Sequence, residues 1–427
     1  MTFRPISIFL SPNTEKDDVQ LASKLLFKPW LWKKGKEILK FEEKFKKYLG
    51  ARYAFSFNSG RSSLIAILEA MDIKKGDEVL LQGFTCNAAV NPILAKEAKP
   101  IFVDVDETIN MNPEDLKTKI TKNSKIVMIQ HTFGWPAKIE EIKKITQESG
   151  LYLIEDCAHS LGAKYLPSQI SKKLGRAKKL CGTFSDAAFF SFGRDKIISC
   201  VYGGMAVTNN KKIGENLKEF QKKMNYPSNF WIIQQLLHPV LMNYLILPFY
   251  NFLKLGRIFL ALFLNLRLLS KSVVRIENRG ELPSYFPQKL PNALTLLALN
   301  QFKKIERFNQ HRQDIAKLYK ENLEKRFILP FAREDKNREP IFMRYPLLVD
   351  DSDKILTKFK RRGIYLDDAW RKSPIVPPAT DLKKIGYIQG SCCEAEKIAK
   401  HILNLPTHIN ISPNQAQKII KLLLNAQ

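Results

Sequence analysis

The sequence predicts an α/β protein: a large unit built on a mostly parallel sheet with helices on both faces, followed by a small α+β unit at the carboxyl end. Three observations carry this. Strand-like and helix-like segments alternate over roughly 150 residues, the pattern of successive strand–helix–strand units. The predicted strands end in Ser59-Gly60, Phe84, His131 and Asp156, so four segments can converge at the carboxyl edge of one sheet, where ligands bind in such folds. Beyond about Leu290 the pattern changes to a long helix and short strands, which reads as a second, smaller unit.

Composition sets the limits. The 427 residues, with 45% hydrophobic content, suffice for about two domains with buried cores and exclude a disordered chain. Cys86, Cys157, Cys181, Cys200, Cys392 and Cys393 show no metal-like spacing, and adjacent cysteines pair poorly, so a reducing compartment is expected. The net charge of +27 comes from lysines scattered along the chain. Such a charge attracts nucleic acid, anionic lipid and phosphorylated substrates alike, and a lysine-rich composition produces it with no partner at all. The segment MTFRPISIFLSPNTEKDD has too short an apolar run for a signal peptide, so a cytoplasmic protein is expected.

In chain order, residues 20 to 50 read as amphipathic helix, with Leu39, Phe41, Phe45 and Leu49 near one face and Gly50 as the stop. ARYAFSF alternates as a strand. It ends in Asn58-Ser59-Gly60, and the helix RSSLIAILEAMDI follows with Ser62 and Ser63 in its first turn. Unpaired N–H groups and the dipole at such a helix start favour a phosphate. DEVLLQ, NAAVNPILAKEA and PIFVDV then give strand, helix and strand, and SKIVMIQ, IEEIKKITQESG and LYLIEDCA repeat the rhythm.

Two segments carry the chemistry. In DAAFFSFGRDKIISCVYGGMAVTN, from Asp186 to Asn209, an apolar strand runs into a polar turn holding Lys196, and Gly203-Gly204 opens a second strand. A lysine so placed can present its amine inside a pocket and form a Schiff base, although most lysines are solvated surface charges. In LYLIEDCAHSLGAKY, a strand ends in Glu155-Asp156 and His159 follows. Taken singly, Asp156 reads equally as a helix cap, His159 and Phe84 as core, and His131 as a strand-end residue.

Jointly, KFEEKFKKYLGARYAF, GDEVLLQGFT, PIFVDVD, HTFGWPAKIEEI, LIEDCAHSLGA, FSFGRDK, GGMAVTN, NALTLLALNQFKKIERFNQHR and NLPTHINIS resemble, in order and spacing, the DegT/DnrJ/EryC1/StrS family of sugar aminotransferases. The resemblance implies the aspartate-aminotransferase-like fold (PLP fold type I) and pyridoxal 5'-phosphate as cofactor. It implies that Lys196 binds the cofactor covalently and shuttles the proton, and that Asp156 pairs with the pyridine nitrogen. His159 is placed near the ring's phenolic oxygen and Phe84 on the ring face, with the phosphate against Gly60, Arg61, Ser62 and Ser191. It further implies a nucleotide-sugar substrate, glutamate as amino donor, a homodimer, a place in polysaccharide or glycan biosynthesis, and no nucleic acid partner.

Two departures stand out. Gly60-Arg61-Ser62 replaces the family's Gly-Thr-Ala, so Arg61 either contacts the phosphate or points away. Val201-Tyr202-Gly203-Gly204 replaces its Gly-Glu-Gly-Gly. The altered segment leaves room for a non-catalytic, regulatory homologue. A dehydratase of the same family would carry His in place of Lys196.

Between Phe230 and Leu269 the chain contains no Asp or Glu and is strongly apolar, where the family has a short connection. Phe230–Leu253 is long enough to span a bilayer, but Ile258–Leu266 is too short to return, and Pro239 and Pro248 are expected to break the helix. The expectation is either an interfacial hairpin on the inner face of an anionic membrane, rimmed by Lys254, Arg257, Arg267 and Lys271, or a hydrophobic protein–protein surface. The expected division is therefore 1–229 for the N-terminal segment and cofactor-binding domain, 230–271 for the insertion, and 272–427 for the connecting helix and small domain.

Overall fold

The computed structural model describes residues 4–167, 178–332 and 335–425. Seven strands form the central sheet: β1 (Tyr53–Phe57), β2 (Glu78–Gln82), β3 (Lys99–Val103), β4 (Ser124–Gln130), β5 (Tyr152–Asp156), β6 (Ala187–Ser191) and β7 (Gly204–Thr208), in the spatial order β1-β7-β6-β5-β4-β2-β3. All neighbours are parallel except β7, which runs antiparallel to β1 and β6. The connection from β6 to β7 holds no helix to carry a parallel crossover, so the chain turns straight back.

Helices α1 (Lys16–Leu26) and α2 (Glu37–Leu49) precede the sheet, and α3 (Gly60–Ala70), α4 (Asn87–Ala95), α5 (Pro113–Lys119), α6 (Ile139–Glu148) and α7 (Lys211–Lys223) lie within it in sequence. The stretch read as one helix over 20–50 is thus two, separated by a single tight turn at Pro29–Leu31. Proline suits the start of such a turn, where it need not donate. Gly50 ends α2 with φ 70°, as expected. Phe41, Phe45 and Leu49 are buried, but Leu39 is 67% exposed. Two residues from Phe41, it points to the opposite side of the helix. Phe45 meets Phe190 of β6 edge-on at 5.0 Å, which fixes α2 against the strand leading to Lys196.

Two helices, α8 (Asn229–Leu241) and α9 (Leu255–Asn265), form the insertion. Pro239 does not break α8; the helix continues past it and widens into one π-type turn at Met242–Ile246. Met242, Ile246, Leu247, Tyr250 and Leu269 form a separate apolar cluster with Leu10 and Tyr365. No helix among the described residues is long and apolar enough to cross a membrane.

The long helix read from Asn292 is also two, α10 (Asn292–Phe302) and α11 (Ile305–Leu323). The break turns the Lys304 ammonium onto Asp17, at 2.7 Å, and Asp18, at 3.1 Å, at the start of α1. Strands β8 (Arg344–Leu348) and β9 (Ile402–Pro406), antiparallel, and helices α12 (Ser352–Lys360), α13 (Cys393–His401) and α14 (Pro413–Leu424) make the small unit. Its edge is extended by the amino-terminal segment, where Ile6–Ser7 pairs in parallel with Ile364–Tyr365.

Candidate active site

At the carboxyl ends of β5 and β6 lies a cavity of about 600 Å³. Lys196 stands in its wall, five residues beyond β6. The backbone carbonyl of Lys196 accepts a hydrogen bond from Asn13 Nδ2, and Asn13 Oδ1 in turn accepts one from Arg312 at 2.6 Å. Arg312 also donates to the Ile197 carbonyl at 3.1 Å, so a fully buried guanidinium holds the lysine turn from behind.

Lys196 Nζ is 3.0 Å from His159 Nε2. The imidazole stacks on Phe133, with centroids 5.6 Å apart, and meets Trp370 edge-on at 4.9 Å. Burial, reinforced by the Lys196 and Arg344 charges, holds His159 well below its ordinary pKa, so the ring is a neutral hydrogen-bonding group. Asp156, the last residue of β5, is also buried and accepts from the Ala158 N–H at 2.9 Å. Burial pushes its carboxyl up to about 6 against the pull of that hydrogen bond and of Lys196. No ion pair to it occurs among the described residues. A buried carboxylate facing a cavity in this state is suited to a cationic partner within it.

The helix start at α3 forms another wall. Ser59 caps α3, its Oγ accepting from the Ser62 N–H at 3.0 Å, and Gly60 and Arg61 line the cavity beside Ser191. The packing is tight. A Cβ on Gly60 would lie 3.0 Å from Ser191 Cβ, and one on Gly204 would lie 2.4 Å from the Ser59 carbonyl carbon. Glycine is thus required where β7 passes under the turn.

Of the residues singled out from sequence, Lys196, Asp156, His159, Ser191, Gly60 and Arg61 line this cavity, and Ser62, Phe84 and His131 do not. Ser62 donates its hydroxyl to Asn58 Oδ1 at 2.6 Å, and its N–H is taken by the Ser59 cap, so neither serves an anion; Ser59 lines the cavity instead. Phe84 is fully buried against Trp370, centroids 5.6 Å apart, and Cys86 occupies the wall two residues later. The bend that separates them is pinned by hydrogen bonds from Gly83 N–H to the Val103 carbonyl and from Gln82 Nε2 to the Phe84 carbonyl. His131 pairs with Glu155 at 3.1 Å, and the same carboxylate accepts from the Gly182, Phe184 and Ser185 N–H groups. This buried network supports the sheet end from outside the site. Arg61 points away: its Nε lies 2.6 Å from Glu277 and its Nη2 donates to the Ser272 carbonyl.

Sequence reasoning missed a second group of wall residues. Arg344, from β8, bridges Asp195 at 2.6 Å and Asp368 at 2.8 Å, so the small unit is tied to the residue next to Lys196. The insertion is not a detachable appendage, since Met242, Leu260, Leu264 and residues Leu269 to Ser272 line the same cavity. Arg194 secures it by donating to the Ser270 carbonyl at 2.5 Å and to Ser270 Oγ at 2.6 Å. Tyr202, where the glycine segment departs from the family, donates its hydroxyl to the Lys271 carbonyl at 2.5 Å. The departure at Tyr202 therefore anchors the insertion. Of the four basic residues expected to rim it, Arg257 turns inward over Tyr250 and Tyr365, at 5.3 and 5.2 Å, and Lys254, Arg267 and Lys271 are exposed.

The family model for DegT/DnrJ/EryC1/StrS aminotransferases matches residues 12–230 and 275–424. The chain belongs to this family. The unmatched interval holds the insertion. Among relatives, an uncharacterised protein of Methanocaldococcus jannaschii is 27% identical over 401 residues, covering 90% of this chain and 89% of that one. GDP-perosamine synthase of Escherichia coli O157:H7 is 36% identical over 211 residues, 49% of this chain and 55% of the enzyme, so the chain spans about half the length of that relative. The solved PLP form of Spr1654 from Streptococcus pneumoniae superposes with a TM-score of 0.74 over 100% of this chain and 98% of that one at 17% identity, which establishes the shared fold. Aminotransferases of this family use pyridoxal 5'-phosphate, and the donor set described above fits it: an amine, a buried carboxylate suited to a ring N–H, and a helix start with a serine for the phosphate.

Proposed function

We propose that this chain is a pyridoxal-phosphate-dependent aminotransferase that moves an amino group, from glutamate, to a keto group of a nucleotide-linked sugar in polysaccharide or glycan biosynthesis. The observation that carries the reading is the convergence of Lys196, His159 and Asp156 on one cavity beside the α3 start and Ser191. Bound there, the cofactor supplies an electron sink for the carbon that gains or loses the proton. Lys196 Nζ holds and moves that proton. Asp156, at the cavity floor, stabilises positive charge on the ring nitrogen. Neutral His159 orients the Lys196 amine, while Phe133 and Trp370 fix the imidazole and keep water from it. The Gly60 and Arg61 N–H groups at the start of α3 and the Ser191 hydroxyl would receive the phosphate. Incubating the purified protein with cofactor, glutamate and a panel of nucleotide keto-hexoses is expected to give 2-oxoglutarate and an amino sugar in equal amounts. Formation of neither product with any member of the panel would overturn the reading, and a cofactor spectrum unaltered by borohydride would favour a non-catalytic homologue.

The proposal extends to assembly and location: a homodimer, held at the inner face of an anionic membrane through the insertion. Leu253 at 76%, Leu266 at 58% and Ile258 at 56% exposure leave an apolar surface among Lys254, Arg267 and Lys271, with no acidic residue from Phe220 to Ile276. Each basic residue adds about 1 kcal/mol on an anionic leaflet, and apolar burial adds more. Flotation with anionic vesicles is expected to carry the protein up, less so in salt but still measurably. Protein that ignores such vesicles, while Leu253→Glu splits a dimer in light scattering, would make this face a subunit contact.

A further inference from the structure

We infer that, beyond the nucleotide-linked substrate and resting on the aminotransferase reading, the same site accepts a keto-sugar joined through a diphosphate to an isoprenoid lipid, whose chain lies along the insertion. Helix α9, LGRIFLALFLN, is apolar apart from Arg257 and Asn265. A helix with so wide an apolar surface needs cover on more than one side. One face is accounted for: Leu260 and Leu264, one turn apart, line the cavity that holds Lys196. The opposite face carries Ile258, Leu262 and Leu266, 56%, 45% and 58% exposed. A single helix thus separates the reaction cavity from an outward apolar surface.

The inner wall continues with Met242 and Leu269, and with Phe9 and Leu10 from the amino-terminal segment. Hydrocarbon is the ligand part that gains from such a wall, since it leaves water without giving up hydrogen bonds. Charge fits the remainder of the molecule. Lys271 lies at the cavity beside Leu269, Arg267 is exposed four residues earlier, and the whole stretch from Phe220 to Ile276 has no carboxylate to repel a diphosphate. Lys196, Lys271 and the leucines of α9 line one cavity, so an amine, a cation and hydrocarbon face the same ligand.

The reaction is unchanged by the carrier. The ketone C=O of the sugar becomes CH–NH3+, a two-electron reduction, and the donor's CH–NH3+ becomes C=O, a two-electron oxidation. The oxygen and nitrogen exchange places, and the diphosphate ester stays intact.

The holoenzyme should be offered each member of the keto-hexose panel as its nucleotide conjugate and as its farnesyl diphosphate conjugate in detergent, with glutamate as donor. Amination of both conjugates of one hexose is expected. Leu260→Gln/Leu264→Gln should lower kcat/KM for the farnesyl conjugate at least tenfold more than for the nucleotide conjugate, and calorimetry should show weaker binding of farnesyl diphosphate itself. Amination of the nucleotide conjugate alone, or an equal loss for both in the variant, would overturn this inference and leave the aminotransferase reading standing. Failure of both conjugates with wild-type enzyme would overturn the two together.

Discussion

Lys196→Ala is expected to abolish transamination while leaving the fold in place. The side chain lines the cavity, where its Nζ meets His159, and the turn that carries it is held through backbone carbonyls by Asn13 and Arg312. Loss of a positioned proton-transfer group alone costs about 10²–10⁴ in rate, and here the covalent tether of the cofactor goes with it. Two measurements check the point. Single-turnover conversion should vanish, and borohydride treatment should no longer fix cofactor to the protein, while thermal unfolding stays close to wild type. Retention of wild-type turnover would remove Lys196 from the chemistry.

Asp156→Asn is the second large effect. An amide keeps the shape of the side chain and can still accept from the Ala158 N–H, but it carries no charge to oppose a ring cation. Removing a preorganised electrostatic partner of this kind costs about 10²–10³ in kcat. The pH dependence of stability separates this loss from misfolding. Burial raises Asp156 from 3.8 to about 6, so in cofactor-free protein the stability tied to it is full below the unfolded value and is lost as pH rises through about 6. Asparagine has no such loss. The variant should therefore gain on wild type as pH rises from about 4 to about 6, while remaining nearly inactive throughout. A variant with a near-normal rate would show that Asp156 does not hold the ring nitrogen.

The parts of the site that were legible in the sequence lie where the chain leaves a strand. Asp156 and Ser191 close β5 and β6, and Gly60 opens α3; such positions are fixed by the alternation of strand and helix, which the apolar pattern displays. Errors arose one or two residues further on, in the turns. Phe84 and Cys86 differ only in which way a bend pinned by Gly83 and Gln82 directs them, and no periodicity encodes that. Ser59 and Ser62 were distinguishable in principle, because a serine three residues before another at a helix start is a cap and engages the later N–H. Arg344, Asp368 and Trp370 reach the site from the small unit, about 150 or more residues from Lys196 in the chain, and carried no local signal. The insertion illustrates a different limit. An apolar run does not encode direction, and α9 presents hydrocarbon both outward and to the cavity.

The amino-terminal segment limits how far the two units can part. Ile6–Ser7 is a strand of the small unit, paired with Ile364–Tyr365, and Asn13 is fastened to the carbonyl of Lys196 in the large one. Five residues lie between Ser7 and Asn13, and the six steps of chain reach about 20 Å at full stretch. The segment is thus a mechanical tether. Any opening of the small unit to admit substrate must be a swing about this short leash, and a wide gape would first have to pull Asn13 off the lysine turn. The step that opens the cleft would then also slacken the mount of its reactive amine, so an opened enzyme is one whose amine is held less firmly until closure restores it.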